Sequence, residues 1–316
     1  METVKPFVKW AGGKGSLISQ LTNYDPFELR DGTINKYVEP FVGGGAVLID
    51  ILQKYNVKTA YAFDINRDLI NCYNVIKTDV DELIEDLKEK EENYLDLEIE
   101  DRQKYFYEIR EEYNSYEIDS KKLIVKRATE FIFLNRTCFN GLYRVNKNGK
   151  FNVPFGRYKN PSICDTKNLK NLSKLFKNVI FQYGDYKESN KYIDNKTFVY
   201  FDPPYRPLSN TSSFTSYAKE DFDDDNQKEL ANYFEELNYK DAKLMLSNSN
   251  PKNTKKDDVF FETIYKDFFI NEIYAKRMIN SNVKARGKIS ELVITNYEEN
   301  NKCIQKDSIL KMAISN

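Results

Sequence analysis

The chain has 316 residues, 41% hydrophobic and 14% aromatic, with a formal net charge of −1, enough for a large core in one or two domains. It contains no histidine, which excludes Ser-His-Asp and Cys-His catalysis, imidazole acid–base work and histidine metal sites. No apolar run approaches the roughly 20 residues of a bilayer span, the N-terminus lacks a signal peptide's apolar core, and Cys72, Cys138, Cys164 and Cys303 form no CxxC pair. The expectation is a cytoplasmic protein with reduced thiols and neither a membrane nor a metal partner.

In chain order, residues 7–16 make a glycine-rich turn carrying Lys9, Trp10, Ala11 and Lys14. It is not a phosphate loop, because Val8 stands where the first glycine belongs and Gly15 where Ser or Thr must follow the lysine. Residues 36–41 read as a strand, Gly43-Gly44-Gly45 as a tight turn, and Ala46 onward as a helix, the ligand-cradling first unit of a doubly wound sheet. Glycines let backbone approach a ligand closely. Leu48 replaces the third glycine of a dinucleotide fingerprint, which favours a neutral or cationic nucleoside over a pyrophosphate. Residues 59–64 form a second strand ending in Asp64, 19 residues after Gly45, near the offset at which an acid reaches ribose hydroxyls.

Residues 78–135 are charged and helical, with apolar spacing over 81–94 and 123–134. Their charges read as solvated helix faces, and the block as an inserted lobe. From Phe131 to Cys164 there is no acid, against Arg136, Arg144, Lys147, Lys150, Arg157 and Lys159. Such a local excess is the footprint of a phosphate-facing surface. Within it, Asn148-Gly149 between extended runs at 142–146 and 151–155 signals a hairpin with basic tips, suited to the DNA major groove. Phe139 and Asn140 precede a second Asn-Gly turn, placed to press on or between bases. An ordinary surface hairpin would not need six cations without an acid.

Strands resume at 178–183, 197–201, 242–249 and 289–297. The first leads into Gly184-Asp185-Tyr186. The second, Thr197 to Phe201, runs into Asp202-Pro203-Pro204-Tyr205. The prolines end the ladder and stiffen the exit, so a carboxylate, a rigid carbonyl and a flat ring follow one another where open sheets bind ligands. That set suits a planar ring bearing an amine. Asp64, Asp185 and Asp202 are expected along one sheet edge.

With Lys9-Trp10-Ala11-Gly12-Gly13-Lys14, Glu39-Pro40-Phe41-Val42-Gly43-Gly44-Gly45, Phe63-Asp64-Ile65-Asn66, Phe139-Asn140-Gly141-Leu142-Tyr143-Arg144, the 151–159 segment, Asp202-Pro203-Pro204-Tyr205 and Arg286-Gly287-Lys288-Ile289-Ser290-Glu291, residues 6–297 closely resemble the Dam-type (DpnII-like) DNA adenine-N6 methyltransferases of GATC sites. The resemblance implies a doubly wound, Rossmann-like α/β methyltransferase sheet with an inserted, mostly helical DNA-recognition lobe carrying a β-hairpin. It divides the chain into catalytic parts at 1–77 and 169–298, a recognition domain at 78–168 and a tail at 299–316. Trp10, Ala11, Lys14, Phe41, Gly43, Gly45, Asp64, Asp185, Tyr186 and Asp202 would hold S-adenosylmethionine, with S-adenosylhomocysteine as product. Asp202, the Pro203 carbonyl and Tyr205 would hold a flipped adenine. Arg144 would read a guanine edge, Asn140, Leu142 and Pro154 would lie near other bases, Phe139 would wedge beside the extruded base, and Lys9, Arg136 and Arg157 would touch DNA. The expected partner is double-stranded DNA, bound by a protein that is monomeric in solution, with room for more than one copy per DNA. Competing readings are a cytosine-N4 enzyme, an RNA or protein N-methyltransferase, and a non-catalytic DNA-binding regulator.

Overall fold

The computed structural model describes residues 3–116, 121–206, 222–275 and 289–298. Two short helices, α1 (Ile18–Leu21) and α2 (Phe27–Arg30), lead into β1 (Lys36–Glu39), α3 (Ala46–Lys54), β2 (Thr59–Asp64) and α4 (Arg67–Thr78). Helices α5 (Val80–Leu95), α6 (Ile99–Tyr113) and α7 (Lys121–Thr137) follow, then an irregular segment and α8 (Thr166–Leu175). The chain returns to β3 (Val179–Tyr183), β4 (Thr197–Phe201), α9 (Asp224–Asn238), β5 (Lys243–Ser249), α10 (Phe260–Ile264), β6 (Phe269–Ala275) and β7 (Ile289–Thr295).

The seven strands form one sheet in the order β3-β2-β1-β4-β5-β7-β6. The first five are parallel, and β7 runs antiparallel to both β5 and β6. Strand β4 explains why the sheet is covered on both sides. All five of its residues are buried; Phe198 and Tyr200 enter the core built with α3 to α8, while Val199 and Phe201 enter the one built with α9 and α10. A two-residue period with both phases apolar is the mark of a central parallel strand. The sequence reading missed β6, whose Asn271 and Glu272 break the apolar run; its pairing with β7 makes it an edge strand.

The helical block attaches through α7, which packs on α4, α5 and α6. Helix α7 is buried over most of its last three turns, from Val125 to Thr137, so it is the centre of this lobe and not a surface helix. This corrects the reading of its charges as solvated faces. Arg127 forms a two-pronged pair with Asp68 in the first turn of α4, Nε to Oδ1 at 3.0 Å and the second amino group to Oδ2 at 2.8 Å, and Tyr113 Oη donates to the same carboxylate at 2.6 Å. Glu130 is fully buried and accepts from Tyr116 Oη at 2.7 Å. A helical hydrophobic pattern identifies the face but not which charges lie within it.

The expected hairpin is present in reduced form. Its arms touch as two isolated antiparallel pairs, Cys138 with Phe155 and Val145 with Phe151. The tip is a three-residue loop, closed by Asn146 N–H to Lys150 O at 2.9 Å with Gly149 at φ +74°. The second turn is tighter: Leu142 N–H donates to Phe139 O at 3.3 Å, with Asn140 at φ +56° and Gly141 at φ +63°. Both central residues are left-handed, the geometry that makes Asn-Gly the preferred pair.

Breaking the Asp68–Arg127 pair leaves a carboxylate largely buried and unpaired, at a cost of about 3 kcal/mol. Arg127→Met is therefore expected to lower the urea midpoint markedly, and adding Asp68→Asn should restore part of the loss. Equal midpoints for Arg127→Met and the parent would show that the pair does not dock the lobe.

Candidate active site

Adjacent strands β1 and β4 carry the chain to opposite sides of the sheet, so their carboxyl ends open a crevice. After β1 the turn closes with Gly45 N–H donating to Val42 O at 2.8 Å, with Gly43 at φ +47° and Gly45 at φ +71°. The turn is held from three sides. Gly43 N–H donates to Asp64 Oδ2 at 3.0 Å, Tyr73 Oη donates to Gly43 O at 2.8 Å, and Trp10 lies against its flank. A Cβ at Gly44 would stand 2.9 Å from Trp10 Cβ, and one at Gly45 2.4 Å from Tyr73 Oη. At these two positions the missing side chain makes room for the protein's own Trp10 and Tyr73.

Asp64 ends β2. Its other oxygen accepts from Asn66 N–H at 2.8 Å, and burial outweighs both donations, pushing its carboxyl up to about 6. A carboxylate offers about four acceptor positions, so two backbone bonds leave Asp64 able to take hydroxyl donors. Ile65, beside it, is 55% exposed, an apolar surface at the crevice that sequence reading passed over because one Ile after an acid has no distinctive pattern. Phe41 stacks on Tyr186 with centroids 5.2 Å apart. Asp185 is exposed and caps the turn that begins at Tyr186, accepting from Lys187 N–H at 2.9 Å.

At the end of β4, Asp202 meets Lys14. The Lys14 ammonium is buried, lies 2.6 Å from Asp202 Oδ1, donates to Gly12 O at 3.0 Å and sits 4.6 Å from the centroid of the Tyr205 ring. Ser247 Oγ donates to the same Asp202 oxygen at 3.3 Å. Burial raises the Asp202 carboxyl above the ordinary range, and the Lys14 charge opposes the rise. Tyr205 Oη donates to Glu291 on β7, whose carboxylate also lies 3.9 Å from Lys14 Nζ. In the sequence Glu291 stands out only as the end of the Arg286-to-Glu291 motif, whose Arg286-Gly287-Lys288 part lies outside the described residues, as does the 299–316 tail. Arg206 fixes the far side of the turn, bonding Asp224 with both prongs at 2.6 and 2.8 Å and Asp258 at 2.9 Å. Glu39, fully enclosed behind Asp202, accepts from Tyr37 Oη at 2.6 Å, and burial together with the Asp202 charge pushes its carboxyl well up.

The residues expected to face DNA are mostly exposed and joined. Lys9 exchanges two backbone bonds with the Asn135 amide, each 2.9 Å, and its ammonium lies over the Tyr158 ring. A Cβ at Gly141 would fall 2.6 Å from Lys9 Cβ, so the Asn140-Gly141 turn rides directly on the Lys9 segment. Phe139 is 51% exposed, and its N–H donates to Pro154 O at 2.8 Å. Leu142 is half-buried beside Arg144, which is exposed and braced by Nε to Asn152 Oδ1 at 2.8 Å. Arg157 is exposed and reaches Gln103. Arg136 departs from the rest. It is half-buried, donates to Phe7 O at 2.7 Å, and its Nε is enclosed with no hydrogen-bond partner among the described residues. One of its amino groups is thus spent on the N-terminal segment. Among the described residues there is no group of His, Cys, Asp and Glu able to hold a metal and no helix long and apolar enough to cross a membrane.

Five parallel strands with a reversed β7, and an Asp-Pro-Pro-Tyr turn at the switch point, define a methyltransferase of the Rossmann-like kind. The family model described as D12 class N6 adenine-specific DNA methyltransferase matches residues 10–279, and the chain belongs to that family. It is 52% identical to the type II methyltransferase M.MjaIII of Methanocaldococcus jannaschii, over 93% of this chain and 99% of that one. It is 38% identical to M1.LlaDCHI of Lactococcus lactis (93% and 96%) and 33% identical to the DNA adenine methylase of Escherichia coli K12 (93% and 95%).

Because Lys14 opposes the upward shift of the Asp202 carboxyl, Lys14→Met is expected to move the acid limb of kcat/KM for methyl transfer to higher pH: without the ammonium, Asp202 stays protonated further up the scale. A pH–rate profile with an unmoved acid limb would dissociate Lys14 from the ionisation of Asp202.

Proposed function

We propose that this enzyme transfers the methyl group of S-adenosylmethionine to N6 of adenine in double-stranded GATC, releasing S-adenosylhomocysteine. The observation that carries the reading is the seat of the Lys14 nitrogen: an N–H donor rests against the Asp202 carboxylate and over the Tyr205 face. An exocyclic amine swung out of the duplex asks for those two surfaces.

Trp10, Ala11, Lys14, Phe41, Gly43, Gly45, Asp64, Asp185, Tyr186 and Asp202 would hold the cofactor. The donor set suits a cationic nucleoside: Asp64 keeps acceptor capacity for hydroxyls, Ile65 offers an apolar face, and Lys14, the cation at the turn, is already matched by Asp202. When bound, the sulfonium supplies the methyl group. The adenine amine is a poor nucleophile because its lone pair is delocalised into the ring. Asp202 and the Pro203 carbonyl accept its two hydrogens, concentrating charge on nitrogen and aiming the lone pair. On gaining the methyl group the nitrogen would shed one proton, for which Asp202 is the near base. Positioning and charge stabilisation supply most of the rate. Extrusion of the base costs a few kcal/mol, roughly, offset in part by stacking on Tyr205.

Residues 78–168 form the recognition part of this reading and 1–77 with 169–298 the catalytic part. Phe139 presses beside the extruded base, Asn140, Leu142 and Pro154 line the neighbouring bases, and Lys9 and Arg157 contact the backbone. Arg144, braced on Asn152, presents the rest of its fork to a guanine edge, providing about 1–3 kcal/mol of discrimination.

Plasmid treated with protein and S-adenosylmethionine is expected to resist a methylation-sensitive GATC nuclease and to become a substrate for a methylation-dependent one; the reverse pattern would reject GATC as the target. Asp202→Ala should abolish transfer with DNA binding retained, and near-normal turnover in that variant would remove Asp202 from the chemistry. Arg144→Ala should relax sequence choice while cofactor affinity stays at the parent value. An unaltered preference would detach the hairpin from base reading.

A further inference from the structure

Two prolines in succession create a difficulty for the turn that carries the chemistry. Neither Pro203 nor Pro204 has an N–H, so the turn cannot tie itself with its own backbone donors there. One carbonyl is tied from outside. Gln227, in the first turns of α9 and fully buried, donates from Nε2 to Pro204 O at 3.0 Å. The direction of that amide follows from its neighbours. Ser249 N–H, which can only donate, reaches Asn248 Oδ1 at 2.9 Å. The Asn248 Nδ2 therefore faces Gln227 and donates to its Oε1 at 3.1 Å, which leaves Gln227 Nε2 as the donor to the turn. Asn248, on β5, is also fully buried. Two amides enclosed in an otherwise aromatic and aliphatic layer cost desolvation unless every bond is made, and here the chain of bonds ends on the Asp-Pro-Pro-Tyr segment.

We infer that Gln227, oriented by Asn248, is a positioning residue for methyl transfer: by holding the Pro204 carbonyl it sets the direction of the Pro203 carbonyl and the height of the Tyr205 ring. The Pro204 ring fixes its own φ, so the peptide planes on either side of Pro204 differ by one soft angle, ψ of Pro204. Anchoring the Pro204 carbonyl removes that freedom. The inference rests on the reading of Asp202 and Pro203 O as the acceptors of the adenine amine.

Two variants of the full-length protein test it. Gln227→Leu keeps the bulk and removes the donor; its single-turnover rate is expected to fall about tenfold, the loss of one buried hydrogen bond at the transition state, with Kd for S-adenosylmethionine and for duplex GATC DNA unchanged. Gln227→Glu separates positioning from mere packing within one polypeptide. In its neutral form one oxygen accepts from Asn248 and the hydroxyl donates to Pro204 O; ionised, it has no donor. Its rate should approach the parent's at low pH and fall as pH rises, a limb absent from the parent profile, with circular dichroism constant throughout. The charged groups of the surrounding elements, Lys14, Asp202, Arg206, Asp224, Asp258 and Glu291, are common to both proteins, so the parent is the control for their titration. A Gln227→Glu profile parallel to the parent's, or a Gln227→Leu variant that loses affinity in step with rate, would overturn the inference. An active Asp202→Ala would overturn the reading beneath it, and the two failures are distinct.

Discussion

The ion pair between Lys14 and Asp202 is the constraint around which the crevice is built. Asp202 lies at the end of a fully buried strand, at the sheet's switch point, and burial pushes its carboxyl up. The ammonium from the N-terminal turn opposes that rise, and Glu291 and the Tyr205 ring bracket the ammonium. A buried pair of this kind contributes little to stability in itself, because desolvation consumes most of the attraction. What it does is hold a buried N–H donor against a carboxylate at the sheet's switch point.

The segment from Phe7 to Lys14 joins the parts that must act together. Phe7 packs edge-on to Tyr73 beneath the glycine turn; Lys9 is clasped by Asn135 of α7 and underlies the Asn140-Gly141 turn; Trp10 lies between the glycine turn and Tyr143 of the hairpin; Lys14 pairs with the Asp202 carboxylate. Few residues of this stretch are free to move without disturbing either the crevice or the hairpin. The Asp68–Arg127 pair adds a second attachment, from the helix behind Asp64 to the centre of the helical lobe.

Much of this was legible in the sequence, for identifiable reasons. Strands β2 and β4 announced their limits because each is an apolar or β-branched run closed by an acid, with prolines sharpening the second. The glycine turn, Asp64, Asp202 and Tyr205 stand where strand-to-helix transitions put them. Relations set by tertiary approach were not legible. Gly44 and Gly45 accommodate Trp10 and Tyr73, partners distant in the chain. Edge strand β6 carries a mixed polar pattern that only its neighbour β7 explains. Arg136 looks like any cation of a basic stretch until the Phe7 carbonyl claims it, and Glu130 and Arg127 look like surface charges until α7 is enclosed on all sides.

The reversal of β7 has a consequence for how the crevice holds together. Running against β5, it brings its beginning, and with it Glu291, to the edge where the parallel strands finish. The crevice therefore takes one wall from the glycine-rich turn at Lys14 and another from β7. Whatever loosens the antiparallel seam between β5 and β7 is felt at once by Tyr205 and Lys14, which share the Glu291 carboxylate.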